Sequence, residues 1–165
     1  MIKTIKTRRS IRRFKKVPVS DDAVNHAIEA GTWAPSGMNN QPWRFAVIKD
    51  AETKAWLADL TQYGSTLKSA GALIAVFMDN ASSYDRTKDL QAIGACIQNM
   101  LLAIHSIGLG GLWLGEILKN RDTVEKLLGA PDDYELMAIV AMGEPCVCPK
   151  PPKRKQLSDM VFLYK

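Results

Sequence analysis

The segment 86–107 constrains the fold of this chain more than any other. Its apolar residues Ile93, Ile97, Met100, Leu101 and Ile104 recur at helical spacing, with the small residues Ala92, Gly94, Ala95 and Ala103 between them. A helix with so wide an apolar face does not stand alone in water. It must be buried against other elements of the chain or against another subunit. Gly108 and Gly110 stop it.

The rest of the chain reads as shorter elements that can cover such a helix. Ser20 is an N-cap with Asp21 and Asp22 in the following turn, and Val24, Ala27 and Ile28 give a helical stripe that ends near Trp33. Residues 43–48 read as a strand, and Asp50 caps a helix through about Leu60. Residues 72–78 read as a buried strand and 79–83 as a loop. A short strand over 112–114 follows the long helix. A helix over 121–128 ends at Gly129, and 135–142 is another strand. Pro145, Pro149, Pro151 and Pro152 make the next stretch extended and irregular. The apolar segment 157–164 is free to dock elsewhere, including on a partner. Strands and helices intermix, so the expectation is α+β or α/β packing. A chain of 165 residues, 47% of them hydrophobic, supports one domain over residues 1–165.

Charge and cysteine usage narrow the classes. The 24% of charged residues is ordinary for a globular protein. The net charge of +5 is concentrated at the two ends and favours anions without choosing among them. Cys96, Cys146 and Cys148 are odd in number and form no CxxC pair. Reduced thiols are therefore expected, with neither a disulfide framework nor a metal site. No apolar run suits a signal peptide or a membrane span, so a cytoplasmic protein with no membrane association is expected.

Four segments stand out. The first, from Arg8 to Phe14, holds Arg8, Arg9, Ser10, Arg12 and Arg13. Planar permanent cations beside a hydroxyl suit phosphate. The same residues also suit a solvated arm or a nucleic-acid-binding surface, although no helix-turn-helix, RNP or zinc-finger pattern accompanies them. The second, from Ala34 to Trp43, crowds Pro35, Ser36, Gly37, Asn39, Asn40, Gln41 and Pro42 into one loop. It is either a plain connection or a surface of hydrogen-bonding groups for a polar heterocycle. The third, from Gly108 to Glu116, is not a dinucleotide fingerprint. It follows a helix, and Trp113 stands where the third glycine belongs. Its glycines are expected to let bare backbone approach a flat ligand. The fourth is the basic run Lys153, Arg154 and Lys155, a plain tail unless it completes an anion site begun by Arg8. Acid–base triads, P-loops and zinc motifs are missing, and His26 and His105 fall inside helices. An enzyme of this composition would take its chemistry from a cofactor.

In order, these segments resemble the FMN-dependent nitroreductase family over nearly the whole chain. The shared marks are the Arg-Arg-Ser start, the Ala-Pro-Ser-Gly-x-Asn-x-Gln-Pro-Trp loop, the long helix running into Gly-Leu-Gly-x-x-Trp-x-Gly, and Gly-Glu-Pro before a basic tail. The resemblance implies an α/β sandwich with a central, mainly antiparallel sheet flanked by helices. It implies a homodimer joined through long helices, with FMN in clefts lined by both subunits. Arg8 and Ser10 match positions that hold the FMN phosphate and ribityl chain, with Arg9 beside them. Arg12 matches a basic position near N1 and O2 of the flavin. Pro35, Ser36, Gly37 and Asn39 match the loop that reaches the flavin from the other subunit. Leu114, Gly115 and Glu116 match the stretch whose amides face N5 and O4, and Arg154 matches an arginine at the phosphate.

By the same resemblance, the protein tunes the flavin through Arg12 and Gly115 and supplies no catalytic acid or base of its own. NADH or NADPH reduces the flavin, and a nitroaromatic, quinone or similar small-molecule acceptor is then reduced in a ping-pong cycle. Reductive dehalogenation and flavin fragmentation are alternative chemistries for the same fold, and a non-catalytic nucleic-acid-binding domain is a third reading. Three departures bear on the match. The chain is short for the family, Arg12 stands where lysine is common, and Pro152 stands where the family has a lysine before Arg154.

Overall fold

In the computed structural model, which describes residues 1–165, four strands build one sheet: β1 (Trp43–Ile48), β2 (Ala72–Asp79), β3 (Gly110–Leu114) and β4 (Tyr134–Gly143). Their order is β1-β2-β4-β3, and every neighbouring pair is antiparallel. The helices are α1 (Ile2–Thr7), α2 (Asp21–Thr32), α3 (Ala51–Asp59), α4 (Gly64–Ser69), α5 (Arg86–Ser106) and α6 (Arg121–Leu128). The expected antiparallel sheet flanked by helices is what forms.

Side-chain alternation divides the core in two. In β2, Ala72, Ile74, Val76 and Met78 face α2 and α5, while Leu73, Ala75 and Phe77 face the opposite layer. β4 follows the same rule, with a register shift opposite Val76 and Phe77 that admits Met137 as an extra residue. Both faces of β2 are buried, which is why its sequence reads as an unbroken apolar run.

Helix α5 buries Ile93, Ile97, Met100, Leu101 and Ile104 against the sheet and α2. Each such side chain contributes about 1.5–3 kcal/mol. Its apolar stripe is thus spent within the chain. The opposite side of α5 carries Lys88, Gln91, Ala95, Asn99, Leu102 and Ser106, none of which is buried. α2 can approach α5 closely because of Gly31, where a Cβ would stand 2.8 Å from Met100 Cγ and 3.0 Å from Cys96 Sγ.

The capping signals hold. Ser20 accepts from Ala23 N–H, Asp50 from Thr53 N–H, and Gly129 ends α6 with φ +63. Helices α1 and α4 were not anticipated. Each is six residues long, and α1 buries no side chain, so neither writes an apolar stripe into the sequence. The thiols are free, with Cys96 buried and Cys146 and Cys148 exposed. Burial pushes the Cys96 thiol up to about 12. No helix is long and apolar enough to cross a membrane, and no group of His, Cys, Asp and Glu residues is arranged to hold a metal ion.

Candidate functional site

The N-terminal arm runs along the sheet edge. After α1 the chain extends, Ser10 bridges Gly111 in parallel, and Ile11 N–H donates to the Gly111 carbonyl at 3.1 Å. Arg8 to Ser10 are thereby fixed beside β3. The Arg9 guanidinium turns back onto the carbonyls of Lys6 and Arg8, both at 2.8 Å, and closes the end of α1. Thr7 ties the same helix to His105 at 2.8 Å, which gives His105 a structural role. Arg12 is exposed. Its guanidinium reaches the Ser10 carbonyl at 3.4 Å, and its own carbonyl accepts the Thr66 hydroxyl from α4 at 2.9 Å.

Arg8 is half-buried and makes no ion pair with any carboxylate. Its pKa is lowered, first by desolvation, then by the charge of Arg154 and then by that of Arg9. The fold therefore gathers cations from both ends of the chain at one place and supplies no anion to balance them. Arg154 spends its own guanidinium only on the Lys153 carbonyl at 3.3 Å.

At β3 the expectation about glycine divides. Gly110 and Gly111 do not open to a ligand. A Cβ at Gly110 would meet Ile11 Cγ1 at 2.6 Å, and one at Gly111 would meet Leu101 Cδ2 at 2.9 Å, so both are packing glycines. Gly115 is the open one, exposed and with no atom within 4 Å of a Cβ built there. Leu114 before it is buried, which anchors the strand end. The Glu116 carboxylate accepts from Lys119 at 2.6 Å and Thr61 at 2.5 Å, and these two bonds hold its pKa below the ordinary value.

The loop from Pro35 to Gln41 is strongly shaped. Met38, Asn39 and Gln41 have φ of 52, 57 and 47, all in the left-handed region without being glycine. Such positions cost about 1–3 kcal/mol each when the residue has no local compensation. The Ser36 hydroxyl accepts the Gln41 N–H at 3.0 Å. Gly37 lies under Tyr84, whose hydroxyl would stand 2.1 Å from a Cβ there. The deepest tie is Asn40, whose amide donates to Asp89 Oδ1 at 2.8 Å and to the Ser82 carbonyl at 3.1 Å. The Asn40 side-chain oxygen is buried without a partner.

Asp89 escaped the sequence reading. It is fully buried in the first turn of α5 and accepts from Ser83, Asn40, Tyr84 N–H and Asp85 N–H. The signal was present, since a carboxylate four residues before Ile93 falls on the helix face that continues as the apolar stripe.

One chain brings together Arg8, Arg9, Ser10 and Arg154, but not the Pro35–Asn39 loop. That loop lines a 310 Å³ groove with Gln91, Ala92 and Ala95 on the outer side of α5. Gly111 packs instead on Leu101 and Ile104, further along the helix on its inner side. No hydrogen bond joins the loop to the arginine cluster.

The model of the Nitroreductase family matches residues 5–68 and 58–144. The chain belongs to the nitroreductase family. A family protein of Archaeoglobus fulgidus, named as an NADH dehydrogenase/NAD(P)H nitroreductase, is 33% identical over 147 residues, covering 87% of this chain and 84% of that one. A protein from Desulfovibrio desulfuricans assigned as a nitroreductase, solved in complex with FMN, superposes with TM-score 0.94 at 42% identity over 99% of this chain and 96% of its own. The NADPH:FMN oxidoreductase of Vibrio harveyi, solved with NAD+, gives TM-score 0.90 at 27% identity over 99% of this chain and 77% of its own. The shortness of this nitroreductase-family chain is therefore shared with the Desulfovibrio protein. An iodotyrosine deiodinase of Thermotoga neapolitana is 30% identical over 165 residues, covering 85% of this chain and 86% of that one.

Proposed function

We propose that the chain is an FMN-dependent NAD(P)H oxidoreductase that acts as a homodimer. The observation that carries this reading is the half-buried Arg8 beside Arg154 with no carboxylate to neutralise either. Such a cluster fits a phosphate, which supplies the missing charge and several acceptors at once. Gly115 supports the same fit, because it leaves bare backbone facing open space at the end of an anchored strand.

Arg8, Ser10 and Arg154 would hold the phosphate end of FMN, with Arg9 beside them. Arg12 would set a fixed cation near the ring edge where charge accumulates on reduction. Backbone amides at Leu114, Gly115 and Glu116 would orient the reactive side, and the bonds that the Glu116 carboxylate accepts from Thr61 and Lys119 tie that segment down. When bound, FMN accepts electrons from NADH or NADPH and delivers them to a small acceptor in a ping-pong cycle.

Pro35, Ser36, Gly37 and Asn39 would act on the partner's cofactor, which agrees with their distance from the arginine cluster of their own chain. The dimer face is the outer side of α5. There a 520 Å³ groove is lined by Met1, Ala30, Trp33, Asn99, Leu102 and Ala103, and Trp33 is 80% exposed. The tail adds Phe162, 98% exposed, and Tyr164, 94% exposed, as residues that need a partner surface.

The deiodinase likeness favours reductive dehalogenation as a second reading of the acceptor. Anaerobic reduction by NADH or NADPH, followed by product analysis with a nitroaromatic, a quinone and a halogenated phenol, decides between them. Turnover of the nitro or quinone compound supports the first reading, and halide release alone supports the second.

A further inference from the structure

The loop that carries Ser36 and Asn39 holds a shape that Met38 and Gln41 disfavour. Within four positions Met38, Asn39 and Gln41 all take positive φ, and only Asn40 between them, at φ −72, has an ordinary backbone. Bonds inside the loop shape it without tying it to the rest of the chain. The Ser36 hydroxyl holds Gln41 N–H, but both residues lie within the loop and would move with it. Restraint from outside enters at the Gln41 carbonyl, which accepts from Arg44 at 3.1 Å, and at Asn40, whose amide reaches out of the loop to the Ser82 carbonyl at 3.1 Å and to buried Asp89 at 2.8 Å.

Asp89 is well suited to be that restraint. It is fully buried, so its bonds are not shared with bulk water. Oδ1 takes the loop, while Oδ2 takes Ser83 at 2.6 Å, Tyr84 N–H at 3.1 Å and Asp85 N–H at 3.2 Å. One carboxylate thus ties the loop, the 82–85 turn and the start of α5 together. The turn in turn lays Tyr84 over Gly37. Burial raises the Asp89 pKa, and the bonds from Ser83, Asn40 and the two backbone amides outweigh it, so the group stays ionised. The helix N-terminus adds to that preference.

We propose that Asp89 is a positioning residue for cofactor binding: through Asn40 it holds the left-handed Met38–Gln41 segment in the shape that presents Ser36 and Asn39 to the FMN of the partner subunit. This rests on the FMN reading above. It adds a consequence that the cofactor residues alone do not have. Because Asp89 lies on α5, whose outer face is the proposed dimer surface, assembly and the shape of the loop are set by one helix.

The test compares FMN titration of the apoprotein with hydrogen exchange of the loop amides for wild type, Asp89→Asn and Asn40→Ala. Asn40→Ala cuts the tie from the loop side and leaves the other bonds of Asp89 in place, so it reports even if Asp89→Asn folds poorly. Either variant is expected to raise the FMN dissociation constant about ten- to hundredfold, the loss of a hydrogen bond to a charged group. Loop amides should exchange faster while the amides of β2 and β4 keep their protection. Adding Met38→Gly to Asn40→Ala should recover part of the affinity, because glycine takes φ 52 without strain. A purely packing role for Asp89 gives no such recovery. Wild-type FMN affinity and loop protection in both variants overturn the proposal. A faster-exchanging loop in proteins that never bind FMN, wild type included, overturns the FMN reading itself.

Discussion

Arg154, from the far end of the chain, lies close enough to Arg8 for its charge to lower the Arg8 pKa, after desolvation has lowered it first. A half-buried cation with an exposed one beside it opposes folding unless something anionic sits near both. On the proposed reading, a ligand phosphate is that anion.

Arg8→Ala should weaken FMN binding by about ten- to hundredfold, the loss expected for a charge-assisted bond. Riboflavin, which lacks the phosphate, should bind both proteins alike. The apoprotein should unfold at the same denaturant midpoint or a higher one, since a repulsion has been removed. Titration of both flavins into the two apoproteins checks this, and an equal loss for riboflavin would place Arg8 elsewhere on the cofactor.

Gly115→Val separates fold from site. The backbone there, at φ −96 and ψ −18, suits any residue, and a Cβ meets nothing within 4 Å. The apoprotein should change in stability by no more than about 0.5 kcal/mol, as for other open positions. Its flavin binding should be lost, because the side chain fills the space in front of the bare backbone. Gly111→Val should do the reverse and damage folding, since Leu101 occupies that space.

Leu102→Glu should convert the proposed dimer into a monomer and lose FMN in the same step. Leu102 lies on the outer face of α5, beside the groove lined by Trp33 and Asn99. Sedimentation of the variant with absorbance detection follows both events together. A monomer that keeps tightly bound flavin would show that the loop does not complete a partner's site.

Glu135 gives a prediction in pH. Its pKa is lowered by hydrogen bonds from Arg86 and, against a desolvation penalty, by the charges of Arg121 and Arg86. A depressed carboxylate adds stability that is present above its unfolded pKa of about 4.3 and is lost as pH falls through the folded value. Glu135→Gln should therefore cost about 1 kcal/mol at neutral pH, a figure kept small because Arg86 is largely exposed. The gap to wild type should close in denaturant melts below about pH 4. A gap that stays constant down to acid would assign the loss to packing.

Much of this was readable in the residues, for physical reasons that differ from place to place. Ser20, Asp50 and Gly129 marked helix ends because capping is a local interaction written at one position. The apolar run of β2 and the stripe of α5 marked the core because periodicity reports which side is buried. Which side of α5 stays free was not legible, because an apolar stripe does not say whether a sheet or a subunit covers it. The stripe of Ile97 and Leu101 went to the sheet, and the free side is Ala95, Asn99 and Leu102. Gly110 and Gly115 read alike in sequence, and only the position of Ile11 separates a packing glycine from an open one. Asp89 was legible only as a charge in the wrong place, since its partners Asn40 and Ser83 become neighbours through the fold.

In the proposed function, the arginine cluster and the open Gly115 form one FMN site. The absorbance spectrum of the purified protein, taken before and after unfolding and after adding FMN to stripped protein, tests it most directly. Flavin bands that shift on unfolding and return with added FMN, then bleach with NADH or NADPH, are the predicted result. A colourless protein that leaves the spectrum of added FMN unchanged would contradict the account.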